Sequence, residues 1–163
     1  MIEIKENFLE DNDLKDLKDV VLDPTFPWAL NHGVSRMGDG HIQFTHTIYR
    51  DNEFKSTWTL GGLDIFKEKL GIVSLVRAKI NLIPRAPEVI EHEAHIDIPN
   101  APANLKTAIL YLNTNNGYTK FETGEKVASK ENTMVIFDAK TKHSGSTNNC
   151  DAPYRVVFNL NYF

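Results

Sequence analysis

From Gly71 onward the chain is a series of short strand-like runs: Ile72 to Ile83, His92 to Ile98, Lys106 to Asn113, Thr119 to Phe121, Thr133 to Asp138 and Tyr154 to Tyr162. Between them stand Pro84, Pro87, Pro99, Pro102, Asn115-Asn116-Gly117 and Asn148-Asn149, residues whose backbones favour turns. Many short strands at fairly even spacing close into a sandwich or barrel. The front of the chain reads differently. Ile2 and Ile4 alternate with charged residues, as in a short strand, and His41 to Tyr49 is also strand-like. Leu14, Leu17 and Val21 fall at i, i+3 and i+7, the spacing of an amphipathic helix that Pro24 follows. Gly61-Gly62 precedes a second helical set, Leu63, Phe66 and Leu70, with Gly71 as its stop. The expectation is a mainly β (α+β) chain: a double-stranded β-helix, or jelly roll, with N-terminal helices packed outside. It is read as one domain over residues 1–163, with helical cover over about 1–70 and the jelly-roll core over about 71–163.

Side chains alternate across a strand, so each run has two readable faces. In the last run Val156, Phe158, Leu160 and Tyr162 share one face, while Arg155, Val157, Asn159 and Asn161 share the other. Thr107, Ile109, Tyr111 and Asn113 stand opposite Ala108, Leu110 and Leu112, and Lys79 and Asn81 stand opposite Ala78, Ile80 and Leu82. The apolar faces make a core. An interior lined by an Arg, a Tyr and several Asn is a ligand cavity.

His95-Ile96-Asp97, then His143, then Arg155 carry the chemistry. His and Asp two positions apart on an extended segment point the same way, and a second His from a distant segment completes a three-point face on one metal. Two His and one carboxylate with open positions suit non-haem Fe(II). The Arg supplies a fixed fork for a dianionic co-substrate. A lone His is usually an ordinary hydrogen-bonded one, and a lone H-x-D arises by chance; the weight lies in their joint order with an inward Arg opening the last strand. His92-Glu93-Ala94-His95 is one residue too short for a zincin helix. A cysteine-based zinc site is ruled out by the single Cys150.

Composition narrows the setting. Hydrophobic content of 41% and charged content of 25% are ordinary for a globular chain. A formal net charge of -4 argues against a nucleic-acid partner. One cysteine fits a reducing compartment, the N-terminus does not read as a secretory signal, and no apolar run nears the roughly 18 residues of a membrane span. A bacterial or phage-infected host cytoplasm is expected.

Several segments together resemble a known family: Arg77-Ala78-Lys79-Ile80-Asn81, His95-Ile96-Asp97, Ile109-Leu110-Tyr111-Leu112-Asn113, Gly117-Tyr118-Thr119-Lys120-Phe121, Val135-Ile136-Phe137, His143, and Arg155-Val156-Val157-Phe158-Asn159. The chain resembles the Fe(II)- and 2-oxoglutarate-dependent oxygenases, in their prolyl-hydroxylase-like branch, short phage-encoded members included. The resemblance implies that His95, Asp97 and His143 bind Fe(II), that Arg155 pairs with the distal carboxylate of 2-oxoglutarate, and that Tyr111 hydrogen-bonds the same carboxylate. It places Asn81 and Asn159 along the co-substrate pocket. It also implies O2 as a substrate, with ascorbate as a candidate accessory reductant. The reaction expected is hydroxylation of a C–H bond of a peptidyl substrate, prolyl as one candidate, releasing succinate and CO2. The alternatives are the same chemistry on a free amino acid or other small molecule, a cupin-like dioxygenase, or a non-catalytic binding module on the same scaffold. Tyr118 stands where many relatives have Gly, and Asn161 where the nucleic-acid demethylase branch has a second Arg. Residues 30–60 and 84–94 are candidate substrate-facing segments; His92 lies on the approach to the site, and Trp28, Trp58 and Tyr118 are either core or substrate contacts.

Overall fold

A computed structural model describes residues 1–57 and 63–163; Trp58 and the Gly61-Gly62 pair lie outside the described residues. In chain order the elements are β1 (Glu3–Lys5), α1 (Asp11–Val21), β2 (Ala29–Asn31), β3 (Gln43–Arg50), β4 (Glu53–Phe54), α2 (Leu63–Leu70), β5 (Leu75–Pro84), β6 (Lys106–Tyr111), β7 (Tyr118–Phe121), β8 (Lys126–Ala128), β9 (Thr133–Asp138), β10 (His143–Gly145) and β11 (Tyr154–Tyr162). A large sheet runs β1-β9-β6-β11-β5-β3-β2, with β4 paired to β3, and a small sheet runs β10-β7-β8. Every pairing is antiparallel.

The alternation of β11 organises both faces of the large sheet. Phe158 sits opposite Ile80 on β5 and Leu110 on β6, and Leu110 sits opposite Met134 on β9. This apolar row shares one core with Leu14, Leu17 and Val21 of α1 and with Leu63 and Phe66 of α2. The Phe66 and Phe158 rings meet edge to face at 4.9 Å. Each such side chain contributes roughly 1.5–3 kcal/mol on burial. One residue along, the row is Lys79, Asn159, Ile109 and Val135, and it faces the other way. There Ile109, Tyr111, Val135 and Val157 pack with Phe121 and Val127 of the small sheet. Helices therefore cover one face and the small sheet the other.

Both helices form where the apolar spacing places them. Asp11 and Asp13 in the first turn of α1 and Lys18 in its last complement the helix dipole. Gly71, at φ 64°, ends α2 in the left-handed conformation that costs glycine least.

Two readings change. His92 to Ile98 is not a strand: its β pairing is limited to an isolated bridge from His95 to His143, with a second just before it from Glu91 to Ser146. Between the bridges the backbone finds other partners, for the Glu93 carbonyl accepts from the Ser35 hydroxyl at 2.6 Å rather than from a strand. His143, which the turn-like run Lys140-Thr141-Lys142-His143-Ser144-Gly145 would put on a turn, lies instead on β10, paired to β7. At three residues, β10 and β8 are too short for any period to show.

Asn132 ties the chain's front to the sheet. At φ 59°, its side chain accepts from Leu9 N–H at 2.9 Å and donates to the Leu9 carbonyl at 2.8 Å, and its carbonyl accepts from Phe8 N–H. Asn132→Ala loses two buried hydrogen bonds and puts a Cβ residue less suited than Asn in the left-handed region. The expected cost is about 2–3 kcal/mol in urea unfolding; a loss below about 0.5 kcal/mol would show that this clamp is not holding the N-terminal segment.

Candidate active site

The small sheet brings His143 forward, and the bridge between His95 and His143 sets the two residues side by side, N–H to carbonyl in both directions at 2.9 and 3.0 Å. Their rings lie 5.0 Å apart between centroids. Each imidazole turns Nδ1 to a backbone carbonyl, His95 to Glu93 at 3.3 Å and His143 to Thr141 at 3.1 Å. A carbonyl only accepts, so the proton of each neutral ring belongs on Nδ1 and the lone pair on Nε2. Both Nε2 atoms face Asp97, at 3.7 Å for His95 and 3.9 Å for His143. One donor atom from each of the three lies within 4.8 Å of the other two. Such second contacts are what orient metal-binding histidines, and two imidazoles with one carboxylate suit Fe(II). The residues fit the ion.

The carboxylate is held from behind. Arg77 Nη2 stands 3.0 Å from Asp97 Oδ1, and Asn159 Nδ2 donates to Oδ2 at 2.9 Å. Burial alone raises the Asp97 carboxyl, but His95, Arg77, His143 and Asn159 outweigh it and hold the group far below the usual carboxylate range. Burial lowers the His143 imidazole below its ordinary value. It lowers His95 as well, but there the Asp97 carboxylate prevails and leaves the ring above its ordinary value.

Next to this cluster opens a cavity of about 360 Å³, whose walls include His95, Asp97, His143, Asn81, Asn159 and Arg155. Arg155 is 3% exposed. Its Nε donates to the Ser129 hydroxyl at 2.7 Å and its Nη2 to the Thr119 hydroxyl at 3.0 Å. Two glycines make room for it: a Cβ on Gly117 would come within 2.9 Å of Arg155 Cδ, and one on Gly145 within 3.3 Å of Nη1. The Tyr111 ring lies 5.4 Å from the guanidinium, fully buried, and its hydroxyl donates to the Val127 carbonyl at 3.4 Å. Tyr111 therefore sits against Arg155, itself a residue of the cavity wall. Asn81 lines the cavity, its buried Oδ1 without a hydrogen-bond partner, and Asn159, besides lining it, holds Asp97.

The remaining expected contacts separate. Trp28 packs edge to face on Phe26 at 4.9 Å and belongs to the helical core. Tyr118 donates to Glu91 at 2.9 Å beneath the Lys126 ammonium, 4.0 Å from its ring. Arg77 and Lys79 also line the cavity; the sequence put Lys79 on the polar strand face of Asn81, which Arg77 shares, but assigned neither a role.

His92 is 4% exposed, its ring edge to face on His41 at 4.8 Å, with neither nitrogen partnered. Burial, helped by His41, pushes its pKa down from 6.5 to about 4. Below 6.5 the unfolded chain therefore takes up a proton that the folded chain refuses, so this residue's contribution to stability falls as pH drops from 6.5 to about 4. The urea midpoint of the protein should decline across that window, and less steeply in His92→Phe. Equal slopes would mean that His92 is protonated in the fold.

Solved structures supply the comparison. A 2OG-Fe(II) oxygenase-family oxidoreductase from Burkholderia pseudomallei is similar over 99% of this chain and 84% of its own, with TM-score 0.73 and 14% identity. A prolyl hydroxylase from Trichoplax adhaerens, solved with a hypoxia-inducible-factor oxygen-degradation-domain peptide, matches over 99% and 83%, with TM-score 0.70 and 15% identity. The chain has the fold of the 2OG-Fe(II) oxygenases. A viral collagen prolyl hydroxylase from Paramecium bursaria Chlorella virus-1 shares this oxygenase fold over 98% of the chain and 88% of its own, with TM-score 0.59 and 14% identity. No protein-family model and no curated protein matches the sequence. Among the described residues no helix is long and apolar enough to cross a membrane.

Proposed function

We propose that the chain is an Fe(II)- and 2-oxoglutarate-dependent dioxygenase that hydroxylates a C–H bond and releases succinate and CO2. The observation that carries this reading is the convergence of His95 Nε2, His143 Nε2 and the Asp97 carboxylate at the wall of a cavity that also holds a buried arginine. His95, Asp97 and His143 are the metal ligands. When bound, Fe(II) supplies O2 activation coupled to decarboxylation of the 2-oxo acid.

The chain's own residues bind, orient and shield. Thr119 and Ser129 fix the Arg155 fork before any ligand arrives, so little ordering cost remains when it takes the distal carboxylate. Tyr111 backs that fork. Asn81 lines the co-substrate cavity. Arg77 and Asn159 keep Asp97 in its anionic form and in one orientation. Ile83, Ile109 and Val157 supply apolar wall that limits water around the reacting groups.

The substrate proposed first is peptidyl, prolyl residues included, in keeping with the prolyl hydroxylases among the similar structures. A free amino acid is the second reading, favoured by a cavity of about 360 Å³, near the small end of ligand sites. A cytoplasmic setting and a single catalytic domain fit both. The test is anaerobic titration with Fe(II) and 2-oxoglutarate, then succinate release on admitting O2 with peptide and amino-acid panels. Tight binding of each and substrate-stimulated succinate are expected; failure to bind 2-oxoglutarate with Fe(II) present would overturn the reading.

A further inference from the structure

The cavity is cationic although the chain is not. Its wall carries Arg77, Lys79 and Arg155 against the single carboxylate of Asp97, in a chain whose net charge is -4. Asp97 accounts for Arg77, at 3.0 Å. Arg155, under the function proposed above, accounts for the distal carboxylate of 2-oxoglutarate. Lys79 is left over. It sits in the central row of the large sheet between Asn159 and Thr47, and among the described residues it makes no hydrogen bond or ion pair. Beside it, the buried Nε of Arg77 has no partner either. Lys79 thus lines the cavity with no ion pair of its own.

Their position separates them from the co-substrate's anchor. Lys79 is in register with Asn159 and Ile83 with Arg155, four residues along β11, or about 13 Å between backbone positions. Asn159 and Arg77 both hold Asp97, so Lys79 belongs to the end of the cavity occupied by the carboxylate ligand. A neutral substrate packed there would bury an ammonium that has no ion pair of its own, which is costly. An anion would be drawn in by the field and then paired.

We propose that Lys79, beside the Arg77–Asp97 pair, forms a second anion subsite that binds a carboxylate of the substrate to be oxidised. This deepens the function proposed above and rests on it. The substrate is then an acid: either a free amino or other carboxylic acid, or a peptide presenting an acidic side chain.

The test uses the full chain loaded with Zn(II), which is redox-silent, and saturated with 2-oxoglutarate. Calorimetry then follows L-glutamate, L-aspartate, and end-capped pentapeptides with a central Glu or Gln. At least one carboxylate probe should bind on top of 2-oxoglutarate, with its amide counterpart about tenfold weaker or worse. Binding by the free acids or by the Glu peptide identifies the source. Lys79→Met should weaken the carboxylate probe about tenfold more than it weakens 2-oxoglutarate, and Lys79→Arg, which keeps the charge, should restore most of the affinity. The subsite is overturned if acid and amide probes bind alike, if no acid binds, or if Lys79→Met chiefly weakens 2-oxoglutarate. Should wild type fail to bind 2-oxoglutarate in the first titration, the function proposed above falls, and that result precedes any probe.

Discussion

Arg155→Ala is expected to raise the dissociation constant for 2-oxoglutarate by about 30-fold to several thousand-fold, the range of about 2–5 kcal/mol that truncating one member of a buried charge pair costs. The guanidinium is 3% exposed and is already tied to Ser129 and Thr119. Nearly all of its desolvation and ordering cost is therefore met in folding, and the incoming carboxylate meets a charge with little water to displace. Burial pulls the arginine's pKa down, yet an arginine stays protonated in proteins, so the fork is cationic at any working pH. Arg155→Lys should recover only part of the loss, because an ammonium is a point donor and cannot hold the Ser129 and Thr119 hydroxyls while meeting both carboxylate oxygens. The measurement is calorimetric binding of 2-oxoglutarate to the Fe(II)-loaded chain without oxygen. Unchanged affinity in Arg155→Ala would remove the co-substrate assignment and leave the metal reading standing.

His143→Ala should abolish retention of Fe(II) through gel filtration, with affinity falling by more than about 100-fold, beyond what loss of a supporting contact alone produces. The fold should survive, because the bridge to His95 is made by backbone groups of residue 143 and not by its ring. The ring does fill space beside Phe137, at 4.9 Å between centroids, so a stability loss of about 1–3 kcal/mol is expected as well. Metal analysis and far-ultraviolet circular dichroism on the same sample separate the two effects. Full iron retention with a native spectrum would show that His143 is not a ligand.

The sheet faces were legible because period 2 is strict: Phe158 and Leu160 had to face the core if Arg155 and Asn159 faced the cavity, and the cross-strand register confirms that division. The helices were legible for the same reason, Leu14, Leu17 and Val21 being the buried residues of α1. The site was legible only as a set of residue types. His95 and Asp97 were expected to share a strand face, whereas they lie on a segment bridged at isolated points, and their approach comes from pairing with β10 and from the hold of Arg77 and Asn159 on the carboxylate. Tyr111 is fully buried with its ring 5.4 Å from the Arg155 guanidinium, a proximity that only the pairing of β6 with β11 creates.

Local sequence, then, determined which residues alternate, where helices start and stop, and that two imidazoles, a carboxylate and a guanidinium were available. Those properties depend on neighbours within one turn or one pleat, and a chain carries them before it folds. The tertiary structure alone decided that both Nε2 atoms converge on Asp97, that Arg77 belongs to Asp97, and that Lys79 makes no ion pair among the described residues. Arg77 and Asn159 reach Asp97 across 20 and 62 positions of sequence, and only the tertiary fold fixes such distances.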